Sequence, residues 1–224
     1  EIKRKRMKNM NIRVYPPDGD VIISVPLRMP MSAIQRFLDE KIPWIEKQRT
    51  KIRSRIYEPT KEFITGERHT LVGRNYELLI KESDTRTSVL MSDEKLILTV
   101  PPGATREERR AVLERWLRRE LKILIAEYIR KWEQIMGVSV REFGIKRMRT
   151  KWGTCSIGDR RIWLNLELGM ISNECLEYVI VHEMVHLLER NHTARFVALM
   201  DRFLPNWRVM QEVLSRTSLR LLVV

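Results

Sequence analysis

The stretch Glu174–Thr193, ECLEYVIVHEMVHLLERNHT, holds three of the chain's four histidines within eleven residues. Its apolar residues (Leu176, Val179, Ile180, Val181, Met184, Val185, Leu187, Leu188) surround the segment rather than line one side. That pattern predicts a helix over Glu174–Leu188, buried on most faces. Ser172 or Asn173 can cap its start, and Glu174 suits the first turn. His182 and His186 are four apart, so on a helix their imidazoles stand one above the other and can converge on one ion. Glu183 falls on the flank of that face, where a carboxylate reaches an attacking water rather than the ion.

Two imidazoles and a carboxylate left unpartnered in such a helix would cost roughly 1–3 kcal/mol per group. A metal satisfies them together. Asn191 tolerates the left-handed conformation common just past a helix end, so the helix is expected to stop near it. A second helix then starts with Thr193 as cap and ends at Pro205, and the reversal swings His192 toward the first pair. Three protein ligands, His182, His186 and His192, with a fourth position open, form the pattern of catalytic zinc; structural sites are closed by four. The remaining histidine, His69, reads as a surface residue in a turn.

The 224 residues allow one domain with a good core or two small lobes. No apolar run is long enough to cross a bilayer, and the basic N-terminal segment has no apolar stretch behind it, so a cytoplasmic location and no membrane partner are the expectation. Cys155 and Cys175 are too few and too far apart for a disulfide framework or a Cys-x-x-Cys metal knuckle, and read as reduced thiols.

Upstream, Ile12, Val14, Val21, Ile23 and Val25 flank a Pro16-Pro17-Asp18-Gly19 turn and predict a hairpin over 10–26. A helix over Ser32–Arg55 follows, with Ile34, Phe37, Leu38, Ile42, Ile45 and Ile52 on one side and Pro43 as a possible kink. Short β runs at Phe63-Ile64, His69–Val72, Tyr76–Ile80, Ser88–Met91 and Leu96–Val100 predict a small, mostly antiparallel sheet. Thr105 caps a long helix running to about Met136, with Gly137 at its end. Its stripe of Trp116, Leu117, Leu121, Leu124, Ile125, Tyr128 and Trp132 reads as core packing behind the histidine helix. Strands over Ser139–Met148 and Arg161–Leu168 complete the chain before that helix. The expected class is α+β: residues 1–103 form a mostly antiparallel β region with one helix, and residues 104–224 an α/β metal-binding catalytic domain.

Four ordered blocks carry a family resemblance. They are Arg149-Thr150-Lys151-Trp152-Gly153-Thr154-Cys155-Ser156, Ile162-Trp163-Leu164-Asn165-Leu166, Tyr178–His186, and Asn191-His192-Thr193 with Phe196. Together they resemble the YgjP-like metal-dependent hydrolases, which are predicted zinc metallopeptidases related to the SprT-like zincins. A looser match extends upstream through Glu40-Lys41-Ile42-Pro43-Trp44-Ile45. The resemblance implies a zincin-like core in 104–224, zinc on His182, His186 and His192, and Glu183 as the catalytic glutamate. Thr154, Met184 and Thr193 depart from the family's usual serine, leucine and serine, and none is a ligand.

The chemistry implied is peptide-bond hydrolysis by an activated water, with Glu183 as general base and then as acid toward the leaving amine. Lys151, Arg149, Asn165 and Tyr178 are candidate oxyanion donors. The 161–168 strand could form the cleft's rim, where a peptide adds by main-chain hydrogen bonds. A net charge of +13 raises a nucleic-acid or acidic partner, with Arg147, Arg149 and Lys151 as one candidate surface. On the long helix, however, the basic residues interleave with glutamates as on a solvated face. Two other functions remain open on the residues alone: a hydrolase of a non-peptide amide, and a zinc-stabilised nucleic-acid-associated module without catalysis.

Overall fold

The computed structural model describes residues 1–15, 18–53, 61–148 and 150–217. They fall into two compact units, one holding residues 1–53 and the other 61–215. The class is α+β, with five α-helices and three small sheets among the described residues.

In the first unit, β1 (Ile2–Lys5), β2 (Asn11–Tyr15) and β3 (Asp20–Pro26) form a sheet in the order β1-β3-β2. The expected hairpin is β2 paired antiparallel with β3, while β1 adds a parallel strand. Pro16 and Pro17 of its turn lie outside the described residues. Helix α1 (Met31–Arg53) contains Pro43 without ending there; the expected last residues 54–55 lie outside the described residues. Ile23, Val25 and Ile34 form a core with Met10, Ile12, Val21, Met29 and Leu38 around them. Ile42, expected on the apolar side of α1, is about half exposed.

The second unit opens with β4 (Arg68–Leu71), β5 (Arg74–Glu82), β6 (Ser88–Met91) and β7 (Lys95–Val100), in the order β4-β5-β7-β6. Its outer pairs are antiparallel, but the central β5/β7 pair runs parallel. Phe63-Ile64 is not a strand: Phe63 takes φ 53° and buries its ring. His69 is fully buried in β4, contrary to the surface reading, and its Nε2 lies 2.9 Å from a Glu67 carboxylate oxygen. That carboxylate also accepts from the backbone N–H groups of Glu62 and Phe63. The buried imidazole therefore has a carboxylate partner that is itself held by backbone donors.

Helix α2 (Arg106–Met136) starts at its cap Thr105 and ends at Gly137, as its sequence predicts, with the cap elaborated into a capping box with Glu108 and Gly137 in the left-handed conformation. Its buried residues, Leu113, Leu117, Leu121, Ile125, Ile129, Trp132 and Met136, recur every three or four positions and share one core with the upstream sheet and the histidine helix. Next come β8 (Glu142–Lys146), β9 (Gly153–Ser156) and β10 (Arg161–Asn165), then a 3-10 helix over Leu166–Met170. β9 was unforeseen, because Thr154-Cys155-Ser156 reads as a polar turn. The chain finishes with α3 (Asn173–Val185), α4 (Ala194–Phe203) and α5 (Trp207–Arg216); α5 was also unforeseen.

The β4–β5 turn abuts the start of α3. Val72 N–H donates to the Gly169 carbonyl at 2.9 Å, and Gly73, at φ +73°, leaves only 2.9 Å between a notional Cβ and Ser172 Cα. No helix among the described residues is long and apolar enough to cross a membrane.

Candidate metal centre

Ser172 caps α3 by accepting from Cys175 N–H, as its sequence predicts. The helix ends at Val185, earlier than the Asn191 expected from sequence, because the last turn tightens. Leu187 N–H donates to Met184 O at 3.0 Å and Leu188 N–H to Val185 O at 2.9 Å, the shorter-range pattern of a helix end. His186 itself keeps right-handed dihedrals (φ −62°, ψ −18°), so it stays one turn beyond His182. Thr193 then caps α4, its hydroxyl accepting from Phe196 N–H at 3.4 Å. This tight reversal brings His192 back to the pair.

The three imidazoles meet. One ring nitrogen of each of His182, His186 and His192 lies within 4.8 Å of the others. His182 Nε2 and His192 Nε2 are 3.0 Å apart. Two ligands of a tetrahedral zinc, each about 2.0–2.1 Å from it, stand about 3.3 Å apart, so the His182/His192 pair is near that spacing and His186 lies within 4.8 Å of both. Phe196, buried, forms an apolar floor with its ring centroid 4.6 to 5.0 Å from all three imidazoles. His186 Nδ1 lies 3.2 Å from the Glu189 carbonyl, a contact that leaves its Nε2 for a metal. His182 Nδ1 is buried without a hydrogen-bond partner. Burial, with the other two histidines adding to it, pushes His182 down to about 4, and burial also lowers His186. Neutral imidazole is the form that binds metal.

Glu183 is 6% exposed and packs on β9. A Cβ at Gly153 would stand 2.7 Å from Glu183 Oε1 and 2.8 Å from its Cγ. Glycine is therefore what lets the strand lie against the carboxylate. Burial pushes Glu183 up to about 7, opposed by the nearby Lys151 ammonium. A carboxyl near neutrality suits a general base. Cys155, on the same strand, has its thiol pushed up to about 11, first by burial and then by Glu183. It is not in the histidine cluster. A cleft of about 400 Å³ opens over the three histidines and Glu183, and its lining includes Lys151, residues of β9, and Arg190-Asn191.

The oxyanion candidates separate. Asn165 is fully buried, and its amide N–H groups donate to Met148 O and Lys151 O, both at 2.9 Å. It pins the loop before β9 and has no donor to spare. Tyr178 is buried, stacked on Trp207 and edge-on to His182, and it does not line the cleft; burial and then Glu183 raise it to about 12. Lys151 lines the cleft, and Arg149 lies outside the described residues. The proposed rim strand is displaced too. β10 is the central strand, paired parallel with β8 and antiparallel with β9, so the strand bordering the cleft is β9. Part of the basic excess is locally committed: Arg147 pairs with Glu114, Arg161 pairs with Glu142 at 2.7 Å, and Lys146 lies over the Trp163 ring.

The sequence model of the YgjP-like family, metallopeptidase domain, matches residues 8–217. The chain belongs to this family, and its class is that of the metal-dependent peptidases. A search of curated proteins gives no match. Among solved structures, the metallopeptidase zymogen abylysin of Pyrococcus abyssi is similar, with 16% identity and a TM-score of 0.36, over 42% of this chain and 90% of that one. The zymogen jannalysin of Methanocaldococcus jannaschii is similar at 20% identity and a TM-score of 0.35, over 42% of this chain and 92% of that one.

Proposed function

We propose that this protein is a zinc-dependent peptidase in which His182, His186 and His192 hold the ion and Glu183 is the general base. The observation that carries the reading is the convergence of three imidazole nitrogens within 4.8 Å beside a buried carboxylate held against Gly153. Zinc, when bound, supplies Lewis-acid polarisation of the scissile carbonyl and eases deprotonation of the attacking water. Glu183 takes the proton from that water and returns it to the leaving amine. Phe196 holds the three rings in place from below, and the Glu189 carbonyl fixes the orientation of His186. Of the oxyanion candidates among the described residues, Lys151 is the one that lines the cleft.

A peptide or protein is the substrate in this reading, with residues 104–224 as the catalytic segment and its chain laid along β9. The two cysteines are unpaired, which suits a cytoplasmic protein. The test is Glu183→Gln with zinc content and peptide-library cleavage measured side by side. Zinc should stay at one per chain while cleavage falls by about 10²–10⁴-fold. A variant that cleaves as fast as the parent refutes the assignment of the base, and a parent that takes up no zinc refutes the whole reading.

A further inference from the structure

Two cations line the cleft without an ion pair to an exposed carboxylate among the described residues, Lys151 having only the buried Glu183 near it. Lys151 precedes β9, and Arg190 lies in the turn between His186 and His192; both are exposed and both line the cleft. Among the described residues neither forms an ion pair. Elsewhere in this unit the basic side chains Arg110, Lys131, Arg147, Arg161 and Arg208 are each matched to a carboxylate. The one carboxylate among the residues lining the cleft is Glu183, which is buried against Gly153. The backbone under both cations is held: the Lys151 carbonyl accepts from Asn165, and the Arg190 turn is braced by the contact between His186 Nδ1 and the Glu189 carbonyl.

We propose that this cleft selects substrates carrying a carboxylate close to the scissile bond, with Lys151 and Arg190 as the specificity-determining residues. The inference rests on the peptidase reading and adds a substrate class to it. A chain lying in the cleft runs past residues that include both cations, so an acidic side chain or a free C-terminal carboxylate there exchanges water for one or both of them. The neutral equivalent leaves both solvated and gains nothing. Each exposed ion pair of this kind supplies up to about fivefold in affinity and weakens with added salt.

The experiment uses four fluorescent peptides of one length: internal Glu or Gln with an amidated C-terminus, and the Gln peptide and a scrambled Gln control with a free C-terminal carboxylate. Binding is read by anisotropy on zinc-loaded Glu183→Gln protein, and cleavage is read on the parent. At least one carboxylate form should bind about three- to tenfold tighter than the neutral peptide, and the arm that does so tells side chain from terminus. Lys151→Met and Arg190→Met should each remove about two- to fivefold of that preference and flatten its salt dependence. Equal affinity for all four peptides, no binding of any, or a preference that survives the double variant overturns the inference. Carboxylate preference in binding with no cleavage by the parent would overturn the peptidase reading and leave the selectivity standing. Cleavage without preference does the reverse.

Discussion

Gly153→Ala tests the packing of the general base with a sign as well as a size. Gly153 lies in β9, paired with Leu164, and its φ is not in the left-handed region, so alanine fits the backbone. On backbone entropy alone the substitution should stabilise the fold by about 0.4–1 kcal/mol. The structure argues the opposite. The new methyl carbon would stand 2.7 Å from Glu183 Oε1, 2.8 Å from Cγ and 3.0 Å from Cδ, well inside ordinary contact distance. Glu183 is 6% exposed, so its carboxylate has little free space to retreat into. Relief needs a shift of most of an ångström in the carboxylate or the strand, at the cost of overpacking, about 1–3 kcal/mol. Displacement of the base by about 1 Å should lower kcat/KM by roughly 10²-fold. Zinc affinity should change little, because the atoms nearest the new methyl all belong to Glu183 and none to a histidine. Chemical denaturation of parent and variant reads the stability, and cleavage of a library-derived peptide reads the rate. A variant that is more stable than the parent and equally active would refute the reasoning.

His192→Ala should keep the fold while zinc affinity, measured by competition with a chromogenic chelator, falls at least tenfold, because His182 and His186 remain as two ligands; unchanged affinity moves the third ligand elsewhere. Asn165→Ala leaves the carbonyls of Met148 and Lys151 without their buried donor and should cost roughly 2–4 kcal/mol in denaturant unfolding, with activity reduced through the loosened β9 loop. Phe196→Ala opens a void beneath all three imidazoles and should cost about 3–5 kcal/mol in the metal-free protein, with zinc recovering part of the loss in a thermal scan.

The candidate ligands and base were legible in the sequence because their chemistry is local. Four-residue spacing on a helix, a carboxylate beside the pair, and a polar reversal capped by Thr193 are short-range features, and so are the cap at Thr105 and the Gly137 that bound α2. Long-range pairing is what tertiary structure decided. Whether β5 and β7 run parallel, or whether β10 lies at the centre of its sheet with β9 toward the cleft, depends on contacts between distant segments that no local pattern encodes. His69 looked like a turn residue because its place in a buried strand follows from the pairing of β4 with β5, although the Glu67 carboxylate and Phe63 ring beside it are close in sequence. Asn165 looked like a catalytic donor until the fold used both its amide hydrogens on the loop before β9. Gly153 stood in plain view within the Trp152-Gly153 motif, yet the need for glycine there appears only when α3 sets Glu183 against that backbone and leaves no room for a side chain.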